Sequence, residues 1–217
     1  MKLRTIGTLA LCAALVVSFM VLLPDAAWAG PGGIIKAATH TLFGRIILAI
    51  LTILLAPVII YYAVKSAIQV RRTRRDLASL SANLPQYRWL DLKDRVTETF
   101  QWVWASWSRQ KMDQASQYCT HWYWQNQQLM LDQWAEHGLE NVCRLNSITS
   151  ITPLFVQHSS DNNGEGSRIV VDIKAKVVDY MVEKATGNIV KGDQKEGDLD
   201  TVWTFVWNYE AWKLNLI

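Results

Sequence analysis

The chain has 217 residues, with 22 Lys and Arg, 19 Asp and Glu, and a formal net charge of +3. The charge is unevenly distributed: residues 1–75 carry nine basic residues and one acidic residue, whereas residues 76–217 carry thirteen basic and eighteen acidic residues, a formal charge of −5. This acidic C-terminal part argues against nucleic acid as a partner, because non-specific nucleic-acid binding requires basic residues that neutralise phosphates.

Residues 1–29 have the pattern of a secretory signal. Two basic residues precede an apolar run from Ile6 to Leu23, and Ala27 and Ala29 are the small residues that a signal peptidase reads. We expect cleavage near residue 30, so that residues 30–45 form a short extracytoplasmic segment. If the signal is retained, the chain forms a two-span hairpin instead. Both outcomes leave the C-terminal domain on the cytoplasmic side.

Residues 46–64 contain no charged residue and are predicted to form a single transmembrane helix. Nineteen residues at about 1.5 Å per residue span roughly 28 Å, close to the hydrocarbon thickness of a bilayer. Because the stretch lacks Asp, Glu, Lys, Arg and His, it argues against a transporter or a proton relay. Pro57 lies in its middle and is interpreted as a tolerated kink.

A basic cluster follows the apolar stretch and belongs to a predicted juxtamembrane connector, residues 65–90. Positive residues beside a span stay on the cytoplasmic face, so the part of the chain that follows is predicted to be a soluble domain on that face. The cluster is either a topology signal alone or a contact with anionic lipid headgroups. The candidate headgroup contacts are Lys65, Arg71, Arg72, Arg74 and Arg75.

The connector is predicted to be helical from Arg71 to Leu84 and to end at Pro85. A first domain helix follows it. Asp91 is the predicted N-cap of the helix that follows. Apolar residues at steps of three and four positions give this helix one apolar face. They are Leu92, Val96, Phe100, Val103 and Trp107.

A second helical region is predicted from Asp113 to His137, with Gly138 as its stop. Trp102 and Trp124 fall roughly opposite the apolar faces of the two helices. They are expected either at a membrane or partner surface or buried against another part of the domain. The predicted apolar face of the second region comprises Tyr118, Cys119, Trp122, Leu129 and Met130.

After Gly138 the pattern becomes that of strands. Val142 to His158 is rich in β-branched residues, although Pro153 argues against an unbroken central strand. A turn is expected at residues 159–167. From Arg168 the apolar residues alternate with polar ones, which is typical of a strand with one buried face. The apolar positions are Ile169, Val171, Ile173, Ala175 and Val177.

The last two strands are predicted over residues 201–207, with Trp203, Phe205 and Trp207 on one face, and over residues 212–216. Helices followed by a meander of strands indicate an α+β fold, with the helices packed on one side of a curved antiparallel sheet.

Short motifs in the C-terminal half follow one another in a specific order. They are Gly138 and Asn141 after the helices, Thr186, Gly187, Gly192 and Asp193 in a turn, Trp203, Thr204 and Phe205 in a strand, and Trp212 and Leu214 in the last strand. Together these motifs resemble the C-terminal domain family of mitochondrial import inner-membrane translocase subunit 44, which also has bacterial members. The resemblance covers Leu92 to Ile217, and we take residues 91–217 as the domain.

The resemblance implies the cone-shaped nuclear transport factor 2-like fold, in which helices close over a bent sheet and leave an apolar pocket. It also implies a non-enzymatic binding or scaffold role without a cofactor, at the cytoplasmic face of a bacterial inner membrane or another energy-transducing membrane. Anionic lipids and a membrane protein are the expected partners. The residues expected to line the pocket or core are Trp104, Trp107, Trp203 and Phe205.

Two other functions are compatible with the sequence. The chain could be an assembly component of a secretion system, with its cone-shaped domain outside the cytoplasm. It could also be a pocket enzyme, an isomerase or hydrolase that uses Asp179 as a general base, because Asp179 shares the phase of the apolar positions before it.

No metal site is predicted. Zinc favours Cys and His in tight pairs, and the available residues do not have that spacing. Three cysteines are also too few for a disulfide framework. The residues considered as ligands are Cys119, His121, His137 and Cys143.

Overall fold

A computed structural model describes residues 42–160, 164–208 and 210–217 of the chain. The predicted signal peptide and residues 30–41 of the predicted extracytoplasmic segment lie outside these described residues. Over these residues the structure has α+β architecture, with three α-helices and a four-stranded antiparallel sheet, which confirms the predicted class. The helices are α1 (Leu42–Ser81), α2 (Trp89–Ser108) and α3 (His121–Glu136), and the strands are β1 (Leu139–Gln157), β2 (Arg168–Glu183), β3 (Ile189–Asn208) and β4 (Ala211–Leu216).

Helix α1 contains the predicted transmembrane stretch. It is 40 residues long and includes Pro57 in its interior. Within the part of the chain that the structure describes, the segment Ala49–Ser81 is long and apolar enough to cross a membrane; its best window has a mean hydropathy of 1.9 and is 6% buried. A core helix of a soluble protein would bury most of such a window. Length, composition and exposure therefore fit a membrane span.

The folded domain begins earlier than residue 91. A division between Ser66 and Ala67 separates the chain into two units, and the second unit is Ala67–Ile217. Leu77 and Tyr87, both within the predicted connector, are fully buried in the hydrophobic core of this unit. The connector is helical to Ser81, three residues short of the predicted end at Leu84, and Pro85 begins a short 3-10 helix, Pro85–Tyr87. Its second half is part of the domain because it contributes apolar side chains to the core.

Helix α2 starts two residues before the predicted cap. Arg88 occupies the N-cap position with extended backbone, and Asp91 lies in the first turn, where its carboxylate pairs with the Arg88 guanidinium at 3.1 Å. A carboxylate in the first turn is favoured by the helix dipole even when it does not cap. The predicted apolar face is confirmed for Leu92, Val96, Phe100 and Val103, which are buried, whereas Trp107 is half-buried.

The second helical region is not continuous. A 3-10 turn, Met112–Ala115, is followed by a non-helical segment, and α3 starts only after Thr120, whose hydroxyl accepts a hydrogen bond from the backbone N–H of Tyr123. This cap sets the phase of the helix. Tyr123 and Leu131 are consequently buried, whereas Trp122 and Leu129 are 60% and 58% exposed, so their predicted placement on the core face is wrong.

The sheet is a meander in the order β1-β2-β3-β4, all antiparallel. Strand β1 is an edge strand, and its register shifts between Pro153 and Phe155, which agrees with the confinement of proline to edges and bulges. The alternation predicted for β2 is confirmed, because Ile169, Val171, Ile173, Ala175 and Val177 are buried against the helices.

Strand β3 is longer than predicted. The turn expected to reach Asp193 is confined to residues 184–188, and β3 then runs for 20 residues from Ile189. Gly192 lies inside this strand opposite Tyr180, with a φ of +82°. A Cβ at Gly192 would overlap the carbonyl oxygen of Asp179, so the pairing of β2 with β3 requires glycine there.

Candidate functional site

The four arginines Arg71, Arg72, Arg74 and Arg75 are exposed on the part of α1 that belongs to the domain. No ion pair to any of them is found among the described residues. We call them the arginine cluster. Lys65, the fifth predicted headgroup contact, is also exposed and belongs to the first unit.

The opposite side of the same helix segment is attached to the sheet. The Thr73 hydroxyl donates a hydrogen bond of 2.9 Å to the Leu154 carbonyl oxygen, and the Gln69 side-chain amide donates to the same oxygen at 3.3 Å. Leu77, one turn further on, is buried in the core. The arginine cluster is therefore presented to solvent by a segment whose inner side is fixed.

A cavity of about 220 Å³ lies between α2 and β3, and we call it the tryptophan pocket. Three of the four predicted residues line it together: Trp104 and Trp107 from α2 and Trp203 from β3. Phe205 does not; it is fully buried and contributes to the core instead. Phe205 pairs with Leu214 of β4, whereas Trp203 lies beyond the last β3–β4 pair, Thr204 with Leu216.

The sequence pattern did not assign Leu199 or Thr201 to the pocket, although both line it. Leu199 and Thr201 precede Trp203 at steps of two along β3, so extending the alternation of the strand backwards would have identified both. The remaining lining residues are Val103, Asp179 and Ile217.

The tryptophans are held by other aromatic rings. The ring of Phe100 lies 4.7 Å from that of Trp203 and 5.9 Å from that of Trp104, measured between centroids. Trp107 packs edge-on against Trp134 of α3 at 6.0 Å. Such contacts contribute about 0.5–1.5 kcal/mol each beyond area burial. The aromatic walls are consequently fixed in position before any ligand binds.

Two indole N–H groups of residues that line the pocket have no hydrogen-bond partner among the described residues. They are the Nε1 atoms of Trp107 and Trp203, and both are shielded from solvent. The Nε1 of Trp212, elsewhere in the core, by contrast donates to the Gln86 carbonyl at 2.9 Å. Buried polar groups are normally paired, so these two indoles are exceptions within the part of the chain that the structure describes.

Asp179, the candidate general base, lines the pocket with an exposed side chain that accepts a hydrogen bond of 2.9 Å from the Asn141 amide. The phase of β2 changes at this point, because a register shift separates Val177 from Asp179. The Asp179 carboxylate is therefore exposed at the pocket and engaged by the Asn141 amide.

A larger depression of about 820 Å³ lies beside the tryptophan pocket, between α2 and the paired ends of β1 and β2. Trp104 lines both, and Cys143, Tyr180 and Gln194 are among the other lining residues. Cys143 and Cys119 are buried free thiols, and burial raises the pKa of each to about 12. Among the described residues, no three His, Cys, Asp or Glu side chains are placed to hold a metal ion.

The chain has a distant structural likeness to a solved structure. No protein-family model matches the chain, and no curated protein matches it. The domain is similar to the crystal structure of the intermembrane space region of chloroplast protein ARC6, with a TM-score of 0.41 and 12% sequence identity, over 55% of this chain and 89% of that one.

Proposed function

We propose that this protein is a membrane-anchored, non-enzymatic binding domain that contacts an anionic cytoplasmic leaflet through the arginine cluster and holds a partner protein there. The observation that carries the proposal is the arrangement of one helix segment. Thr73 and Leu77 attach its inner side to the domain, while its four arginines face solvent without ion-pair partners among the described residues.

The expected strength of the lipid contact follows from general electrostatics. A basic residue close to an anionic membrane surface contributes about 1 kcal/mol, so four arginines contribute roughly 4 kcal/mol, which corresponds to about a thousandfold in affinity. This attraction falls off within a Debye length, roughly 8 Å at physiological salt. A membrane tether would strengthen the contact by keeping the cluster near the surface, and the segment Ala49–Ser81 is long and apolar enough to provide one.

The tryptophan pocket supports the binding role. It combines fixed aromatic walls with the polar side chains of Asp179 and Thr201, which is an arrangement suited to recognition. The family resemblance of the C-terminal motifs, the cone-shaped fold and the inner-membrane location are parts of the same proposal. They agree with a domain that positions a partner beside a membrane.

Vesicle binding tests the lipid contact. Fragment 66–217, shown to be folded by near-UV circular dichroism, is mixed with vesicles of phosphatidylcholine alone or with phosphatidylglycerol added. Replacing the arginine cluster by glutamine should abolish sedimentation with the anionic vesicles. A control with the same change in charge replaces four other exposed basic residues and should bind as the unmodified fragment does. These are Lys93, Lys184, Lys191 and Lys195.

Two results would contradict the proposal. One is failure of the unmodified fragment to bind anionic vesicles at low salt. The other is equal loss of binding in both glutamine variants, since that would show an effect of net charge rather than of this helix segment.

A further inference from the structure

One edge of strand β3 is open beside the tryptophan pocket. Strand β4 pairs with β3 only from Thr204 to Asn208. The preceding residues of β3, Gly197 to Val202, pair with β2 on one side, and among the described residues no strand pairs with them on the other. Alternate backbone N–H and C=O groups in this stretch therefore point away from the sheet without a strand partner.

The open edge and the pocket are one surface. Leu199, Thr201 and Trp203 are successive inward positions of the same stretch, and all three line the pocket. Ile217, directly after β4, lines it as well. A strand added to β3 in line with β4 would pass over the mouth of the pocket.

The volume of the pocket limits what can enter it. Its 220 Å³ is below the range of about 300–1,000 Å³ that is usual for sites of drug-sized ligands. One large apolar side chain, rather than a whole small molecule, is the occupant that this volume suits.

The charges beside the edge are compensated on the opposite face of the sheet. Asp198 pairs with Lys176 at 2.6 Å and Asp200 pairs with Lys174 at 2.8 Å. Natural sheets often protect open edges with unpaired charges that repel an incoming strand. Here the aspartates that flank Leu199 are already neutralised, so this edge lacks that protection.

We propose that the edge Gly197–Val202 of β3 binds an extended segment of a partner protein as an added strand, with one large apolar side chain inserted into the tryptophan pocket. The inference rests on the proposed binding function and names the form of its partner. Main-chain hydrogen bonds along the edge provide affinity, and the pocket selects the side chain. A lipid does not offer the repeated donors and acceptors that an open strand edge pairs with.

The test uses the full chain in nanodiscs of phosphatidylcholine and phosphatidylglycerol. A phage-displayed library of random nine-residue peptides is selected on it, and the enriched peptides are synthesised with a fluorescent label for anisotropy. We expect enriched sequences to share one large apolar residue. Its replacement by glycine, or N-methylation of alternate peptide amides, should weaken binding at least tenfold.

Two matched variants locate the site. Thr201→Phe fills the pocket, whereas Val202→Phe adds the same ring to the neighbouring position on the outer face, where Val202 is exposed. Both are checked for unchanged circular dichroism and melting temperature. Thr201→Phe should weaken peptide binding at least tenfold, and Val202→Phe should leave it within twofold.

Several results would overturn the inference. One is that no peptide is enriched, and another is that N-methylated peptides bind as well as the unmodified ones. A third is that the two variants weaken binding equally. A dimer of the chain that Thr201→Phe abolishes would assign the edge to a second copy instead. The variant with glutamines in the arginine cluster separates the two proposals, because it should lose vesicle binding and retain peptide binding.

Discussion

The hydroxyl of Thr73 donates a hydrogen bond to the carbonyl oxygen of Leu154 over 2.9 Å, although the two residues are 81 positions apart. Leu154 lies between Pro153 and Phe155, where the register of β1 shifts against β2. The irregular edge strand thus supplies a carbonyl acceptor that α1 uses. The arginine cluster owes its fixed presentation to this contact between a helix and a bulged strand.

Replacing Thr73 with valine should lower the free energy of unfolding of fragment 66–217 by about 1 kcal/mol, the usual net value of such a hydrogen bond. Valine preserves the shape of the buried side chain and removes only the donor. Ser79→Ala, at an exposed position of the same helix, is the control and should change stability by less than about 0.5 kcal/mol. Urea denaturation measures the free energy of unfolding of both variants. Equal values for the two variants would show that the contact with Leu154 contributes nothing to stability.

Replacing Leu77 with alanine should lower the free energy of unfolding of the domain by about 2–5 kcal/mol, because the change leaves a cavity in the core. If residue 77 belonged to a separate connector, the same change would leave the urea midpoint of the domain almost unchanged. Ala78, its exposed neighbour, offers the matched control Ala78→Ser, for which a change below about 0.5 kcal/mol is expected.

Two glycines with similar backbone angles should differ in their tolerance of alanine. Gly187 and Gly192 have φ values of +71° and +82°. A Cβ at Gly187 meets open space, whereas one at Gly192 overlaps the backbone of β2 at Asp179 and Tyr180. Gly187→Ala should therefore lower the free energy of unfolding only by the strain of a left-handed alanine, roughly 1–2 kcal/mol. Gly192→Ala should lower it clearly more. Thermal unfolding of the two variants checks this, and equal losses would contradict the close approach of the strands.

The buried thiols should make the domain lose stability in alkali. Burial raises the pKa of Cys119 and Cys143 from 9.0 to about 12, so the folded state keeps protons that the unfolded state releases. The stability that the two protonated thiols contribute is complete below pH 9. It is lost as the pH rises towards 12, at up to about 1.4 kcal/mol per pH unit for each thiol. Urea midpoints at pH 8.5 and 10.5 should differ less in a Cys119→Ala, Cys143→Ala double variant than in the unmodified protein.

The topology proposal predicts the behaviour of reporters joined after residue 217 in a bacterial host. Green fluorescent protein should fluoresce there and alkaline phosphatase should be inactive, because each folds to its active form on only one side of the membrane. A control with the arginine cluster replaced by glutamine tests whether these residues also set orientation. Alkaline phosphatase activity in the unmodified fusion would reverse the topology and favour a secretion-system component.

The sequence pattern was sufficient to predict the buried residues of an element when one of its faces is buried and the other is exposed. Strand β2 and, apart from the half-buried Trp107, the core face of α2 were predicted residue by residue for this reason. Of the four aromatic residues proposed to line the pocket or core, three line the pocket and Phe205 lies in the core. The sequence was insufficient for the first half of β3. Residues 191–198 are charged residues, glycines and one glutamine, and all are exposed, so no alternation marks them, and backbone pairing with β2 makes them part of a strand.

The phase of α3 was mispredicted for a different reason. Its first turn is set by a hydrogen bond from the Tyr123 N–H to the hydroxyl of Thr120. Just before it, Cys119 forms an isolated bridge with Leu214 of β4. Contacts with a distant strand cannot be read from local periodicity. The placement of Trp122 and Leu129 on the surface was therefore beyond what the sequence pattern could indicate.

The irregularity of β1 has a consequence for crowding in the membrane plane. Anchored copies of a protein meet one another at high local concentration and with similar orientation, conditions that promote edge-to-edge aggregation of sheets. Three register shifts and Pro153 bend the outer side of β1, and the Leu154 carbonyl is already occupied by α1. A strand this distorted is a poor template for a neighbouring copy, so the fold resists two-dimensional self-assembly along that side.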